Sequence, residues 1–377
     1  MSTEQSDGVP ITLISGPLGA GKTTLVNRLL SDPGDRRIAV IVNDMGEINV
    51  DAELLADQGE EGIVDLSNGC ICCRLQDDLV TEITRLADER EFDYLVVEAS
   101  GISEPIPIAR TLTVGTDETS LPERFALDTT VSVVDAYGFW KAFDPEESLP
   151  DAAPDPQRPL TEVMVDQIEF CDVLLLNKCD MVPDDELDAV EAAIRELQPR
   201  AEIRRTTYSE VDPGAVLGTG RFDFETARRR QGWKETLAGA DSDDSGHEHA
   251  GGDDHHGHPA GLSAAEAHGV DSVVYRSAEP FHPDRFDAWL DDWDGDVVRA
   301  KGFVWVASRP DTVLGVSQAG PAVQAGPIGE WGDDDPSTRF VVIGRELDGV
   351  AAELDDCLAR DGEEIPSADA DPFPRDS

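Results

Sequence analysis

Short apolar runs recur along the first half of the chain, separated by polar and glycine-bearing stretches. They lie in "PITLIS" (with Ile11–Ser15 as its strand), "RRIAVIVND", "FDYLVVEAS", "FALDTTVSVVDA" and "CDVLLLNKCD". A strand covered on both faces reads as an unbroken apolar run, whereas a half-exposed one alternates. Helical stretches lie between the runs, so the pattern predicts a mostly parallel sheet with helices on both faces. "DDELDAVEAAIRELQP" puts Val190, Ala193, Ile194 and Leu197 on one stripe and stops at Pro199, which predicts an amphipathic helix. "AEIRRTT" supplies a last strand near residue 207.

The character changes at about Ala238. "AGADSDDSGHEHAGGDDHHGHPAG" has almost nothing to bury and reads as a flexible linker. A second pattern begins at Asp271, with strands in "SVVYRSAE", "VVRAKGFVWVA", "TVLGVSQAG" and "RFVVIG". Helices are expected in "HPDRFDAWLDDW" and "LDGVAAELDDCLA". The predicted organisation is an α/β domain over 1–237, an acidic His-rich linker over 238–269, a small α+β domain over 270–360 and a disordered tail over 361–377.

Composition narrows the partners. The net charge is −49, with 79 acidic against 30 basic residues spread along the chain. Nucleic acid and anionic membrane are poor partners for such a surface. Self-repulsion on this scale disfavours a compact state in dilute buffer, and molar salt screens it. The composition resembles that of proteins from salt-accumulating halophiles. No apolar run approaches a membrane span, and the polar start lacks a signal-peptide pattern, so a cytoplasmic location is expected. Clustered cysteines in that setting suggest metal or redox chemistry more than disulfides.

"GPLGAGKT" (Gly16–Thr23) fits G-x-x-x-x-G-K-[ST] after a strand and before a helix, the context of a phosphate-binding loop. Its residues Gly16, Pro17, Leu18, Gly19, Ala20, Gly21, Lys22, Thr23 and Thr24 are the candidate phosphate cradle. Lys22 would reach the β- and γ-phosphates, and the Thr23 hydroxyl would ligate Mg²⁺. "NKCD" follows a strand, and a carboxylate at Asp180 can accept from guanine N1–H and the 2-amino group together. Adenine offers no such pair, so the base read there is guanine. Lys178 can lie along the base and Asn177 can brace the loop. In "YLVVEASG", Glu98 stands at a strand tip, able to hold Mg²⁺ through water or aim the attacking water, and Gly101 can bring a backbone N–H near the γ-phosphate. "VNDMGEINVD" crowds Asp44, Glu47 and Asp51 in a candidate switch region.

"SNGCICCRL" packs Cys70, Cys72 and Cys73 into four residues, between that region and Glu98. Thiolates favour soft or borderline ions, Zn²⁺ above all. Neighbouring Cys72 and Cys73 do not readily close a rigid cage. A site completed by Glu47, a histidine or water would be exchangeable, which suits transfer. A Cys70-x-x-Cys73 redox pair and an inert turn are the competing readings. The linker adds His247, His249, His255, His256 and His258, suited to loose capture of Zn, Co, Ni or Cu. Cys171, Cys179 and Cys357 are expected in the core or incidental, and His268 and His282 are ordinary candidates.

Together, "GPLGAGKTT", "NDMGE", "NGCICC", "EASG", "VVDA" and "NKCD" resemble the CobW-type metallochaperone GTPases, relatives of HypB and UreG. "EPFHPDRF", "RAKGFVW" and "FVVIG" resemble that family's C-terminal domain. The resemblance implies a P-loop NTPase fold with a doubly wound sheet, weak intrinsic GTP hydrolysis, and Zn²⁺ or Co²⁺ delivered to an apo-metalloprotein client. A homo-oligomer is compatible with it. Some relatives carry a carboxylate two residues before the acid of N-[DE]-x-G-E, where this chain has Val42, so a second metal ligand there is not expected. A metal or redox sensor, or a metal-storage protein with a regulatory GTPase, is the alternative class.

Overall fold

Strand β1 (Val9–Ser15) lies mid-sheet because nearly every position along it can be buried. It is joined by β2 (Ile38–Val42), β3 (Ile63–Asp65), β4 (Tyr94–Glu98), β5 (Phe125–Asp135), β6 (Val173–Asn177) and β7 (Glu202–Arg205). All pairings are parallel, in the order β3-β2-β4-β1-β5-β6-β7. The computed structural model describes residues 8–42, 63–65, 74–115, 121, 124–143, 160–223, 270–292, 296–332 and 334–374, with backbone alone at 63–65 and 74–78.

Both faces of this sheet are covered, as the unbroken apolar runs predict. Leu25, Val26 and Leu29 of α1 (Lys22–Ser31) share one core with Ile14, Val40 and Val96. On the opposite face, α2 (Arg74–Glu89) brings Leu79, Ile83 and Leu86, and α3 (Pro105–Val114) brings Ile108 and Leu112, to a core with Ile11, Ile41 and Val97. Each such side chain, fully buried, is worth about 1.5–3 kcal/mol before entropy costs. A bulge in β5 switches its pleat: Ile11 pairs with Leu127 but Thr12 with Thr129. Phe125 and Leu127 therefore serve one core while Val131 and Val133 serve the other.

Pairing also aligns the carboxyl ends. Ile14, Glu98, Val42 and Asp65 form one row across four strands, and Asp135 pairs with Asn177. Successive crossovers leave β1 in opposite directions, and ligands in open α/β sheets bind beyond the carboxyl ends at such a switch point.

A second compact unit contains an antiparallel sheet in the order β11-β10-β9-β12-β8. Its strands are β8 (Val270–Ser277), β9 (Val297–Val304), β10 (Thr312–Ala319), β11 (Ala322–Glu330) and β12 (Thr338–Arg345). Phe281, Phe286 and Phe340 anchor its core, with the first two rings stacked at 4.4 Å. Helices α6 (Pro283–Asp291) and α7 (Val350–Asp356) contribute Phe286, Leu290 and Leu354. Helix α5 (Asp184–Leu197), expected within 1–237, groups with this unit and packs against β8 and β12. Its predicted stripe of Val190, Ala193, Ile194 and Leu197 is fully buried.

The expected disordered tail is corrected over 361–374. Arg309 donates to both Asp371 oxygens, at 2.6 and 2.8 Å, and to the Phe373 and Pro374 carbonyls at 2.6 and 2.7 Å. Phe373 is buried in the second core. The linker 238–269 lies outside the described residues. Among the described residues no helix is long and apolar enough to cross a membrane.

Candidate nucleotide-binding site

β1 ends at Ser15 and α1 starts at Lys22, so the glycine loop joins them as the motif predicts. Gly16, Gly19 and Gly21 have φ of 135°, 76° and 113°, a region closed to most residues with a Cβ. The loop delivers its amides to the first turn of α1, a natural anion site. Lys22 is buried, and its Nζ donates to Gly16 O at 2.9 Å and Pro17 O at 3.1 Å. Its ammonium is thus held over the loop that the phosphates would enter.

The two residues expected at Mg²⁺ meet directly. Thr23 Oγ1 donates to Glu98 Oε1 at 2.8 Å, and Glu98 is buried at the tip of β4. A hydroxyl and a carboxylate so close suit a hard, oxygen-seeking cation. Gly101 stands against the phosphate loop itself. A Cβ there would come 2.6 Å from Leu18 N and 2.8 Å from Leu18 Cα, so only glycine fits without moving that backbone. Gln167, fully buried on α4 (Leu160–Glu169), donates to Ser103 O at 3.0 Å and steadies the turn after Glu98.

"NKCD" lies at the end of β6. Asn177 does brace the loops: Nδ2 donates to Ala20 O at 2.8 Å, and Oδ1 accepts from Ser209 N at 2.8 Å and Thr206 Oγ1 at 3.2 Å. Ser209 Oγ donates to Gly21 O at 3.0 Å, so three segments are tied at one point. Asp180 is exposed beside them. Thr206 and Ser209 were not read as site residues from the sequence. The available signal was position, since "TTYS" follows β7 at the same sheet edge. Tyr208 and Ser209 adopt φ of 52° and 56°, which no pattern of residue types announces.

Cys70, Cys72, Cys73, Asp44, Glu47, Asp51, His247, His249, His255, His256, His258 and His268 lie outside the described residues. Among the described residues no group of three or more His, Cys, Asp or Glu could hold a metal. Val42 is a buried strand position and offers no ligand. Cys171 and Cys357 are buried and Cys179 half-buried, as expected. Burial pushes the Cys357 thiol up to about 11, far from thiolate chemistry. His282 is buried beside the start of α6.

A phosphate loop, a buried acid on its threonine and a braced "NKCD" loop at one sheet edge define a P-loop nucleotide-binding protein. The CobW/HypB/UreG nucleotide-binding domain matches residues 10–205, and the cobalamin synthesis protein CobW C-terminal domain matches residues 270–358. The chain belongs to the CobW/HypB/UreG family of P-loop GTPases. It is similar to zinc-regulated GTPase metalloprotein activator 1 of Dictyostelium discoideum, 36% identical over 86% of this chain and 68% of that one. It is also similar to the zinc chaperone CobW of Sinorhizobium sp, 29% identical over 91% of this chain and 95% of the relative. The zinc chaperone YjiA of Escherichia coli is 27% identical, over 90% and 95%.

Proposed function

We propose that this GTPase is a metal chaperone that carries a Zn²⁺-class ion on Cys70, Cys72 and Cys73, with Glu47 as a further ligand, and passes it to an apo-metalloprotein client. The observation that carries this reading is the row Ile14–Glu98–Val42–Asp65. The cysteine segment follows Asp65, and Asp65 pairs with the row that holds Glu98. A change at the γ-phosphate end of the nucleotide therefore has a short route to the cysteines. The names of the relatives, zinc chaperones and a zinc-regulated GTPase metalloprotein activator, support the same cargo.

In this reading the triphosphate lies along Gly16–Thr24, with Lys22 at the β- and γ-phosphates. Thr23 and Glu98 would hold Mg²⁺, which would supply charge neutralisation at the transferring phosphoryl group. Gly101 would bring its amide near the γ-phosphate, and aiming the attacking water is the alternative role of Glu98. Asp180 reads guanine, Lys178 flanks it, and Asn177 holds the loops in register. The γ-phosphate orders the segment around Glu47 and the cysteines, and hydrolysis releases it. The linker histidines capture metal loosely beforehand.

The test uses Co²⁺ as a probe on the reduced full-length chain. A sulfur-to-metal charge-transfer band should appear and should weaken in Cys72→Ala. The triple Cys→Ala variant should lose the band and keep GDP binding. Absence of the band in the wild-type chain would favour the redox or inert-turn reading.

A further inference from the structure

Asp135 ends β5 in the segment "VVDA", and its carboxylate serves the base-recognition loop. Oδ2 accepts from Lys178 Nζ at 2.7 Å, and Oδ1 accepts from Tyr137 N at 3.0 Å. The strands are in register here: Asp135 pairs with Asn177, and Ala136 N donates to Asn177 O at 2.9 Å. Lys178 has φ of 60°, a left-handed conformation unfavourable for a residue with a side chain. Met181 N donates to Lys178 O at 3.0 Å, so this backbone is fixed on both sides and the side chain is fixed by Asp135. Strained residues held this firmly concentrate at functional sites.

The pair is partly exposed, 33% for Lys178 and 23% for Asp135. Such pairs contribute little to folding. Their consequence is geometric: a lysine with its ammonium anchored has one course for its aliphatic stem instead of many rotamers. We infer that Asp135 is a positioning residue for guanine-nucleotide binding, holding Lys178 so that its stem forms a ready-made wall of the base pocket beside Asp180. This rests on the assignment of "NKCD" to the base. Preorganisation of this kind raises affinity by removing an ordering cost from the bound state. It also keeps the ammonium at the base end, away from the phosphates that Lys22 serves.

The experiment titrates a fluorescent GDP analogue and inorganic tripolyphosphate against the full-length chain and its Asp135→Asn, Lys178→Met and double variants. Asp135→Asn keeps the acceptor for Tyr137 N and removes the ion pair. GDP affinity should fall about tenfold, while tripolyphosphate affinity and the thermal midpoint stay unchanged. In the Lys178→Met background the second substitution should add nothing, because its effect runs through the lysine. Unchanged GDP affinity, or full additivity with Lys178→Met, would overturn the inference. So would a joint fall in tripolyphosphate affinity and thermal midpoint, which marks a merely structural role. Asp180→Ala, measured alongside, separates the two levels. If it leaves the guanine preference intact, the base pocket is misassigned. If it abolishes that preference while Asp135→Asn is silent, only the positioning role fails.

Discussion

At the residue scale, the candidate site rests on a few side chains whose neighbours leave them little freedom. In the proposed site Asp180 reads the base, so GTP should bind at least about tenfold more tightly than ATP, near 1.4 kcal/mol. Competition titrations on Asp180→Ala should show that ratio collapsing toward one. Gly101→Ala should lower kcat at least about tenfold, because its Cβ would displace Leu18 backbone in the phosphate loop. Unchanged turnover in that variant would show that the loop tolerates the shift. The placement of Lys22 over its loop, the meeting of Thr23 with Glu98 and the bracing by Asn177 were legible in the sequence, because each residue belongs to a motif with a fixed place after a strand. Ser209, Thr206 and Gln167 were not, because their roles depend on bonds between residues 29 to 188 positions apart.

At the element scale, the short apolar runs showed the parallel strands directly, since burial on both faces leaves few polar positions, such as Thr12 and Ser132, to interrupt the pattern. Elements that mix polar residues into buried sites were harder. Helix α4 buries Glu162 and Glu169, which blurs its apolar stripe. Strand β11 carries Gly326, Pro327 and Gly329, and β3 is only three residues long. The tail "PSADADPFPRDS" reads as disordered by composition, and one aromatic with one acid-arginine clasp reverses that as far as Pro374. Phe373→Ala should cost about 3–5 kcal/mol if the site does not collapse, read as a fall in denaturant midpoint. The clasp also sets a pH dependence. Burial pushes the Asp371 carboxyl up, but hydrogen bonds from Arg309 and Ser308 outweigh it, and the group ends below its ordinary 3.8. A depressed folded value means the clasp stabilises the domain above about pH 4 and is lost as pH falls further. Asp371→Asn should flatten that acid limb of the thermal midpoint. An unaltered limb would place the acid sensitivity elsewhere.

At the scale of the whole molecule, charge and linkage dominate. A formal net charge of −49 repels itself unless salt screens it, so the thermal midpoint should climb steadily from dilute buffer to molar KCl. A midpoint insensitive to KCl would remove the halophile reading. Deleting 241–258 should leave folding and GTP binding intact and reduce weak secondary metal binding, because that composition gives the segment no core to join. The central claim is that nucleotide and metal sites are one coupled device, and coupling is reciprocal. The most direct measurement is the Zn²⁺ affinity of the reduced full-length chain with a non-hydrolysable GTP analogue and with GDP. A difference of about 5–150-fold, lost in the triple Cys→Ala variant, is the predicted result. Equal affinity in the two nucleotide states would contradict it, leaving a GTPase and a metal site with no mechanism joining them.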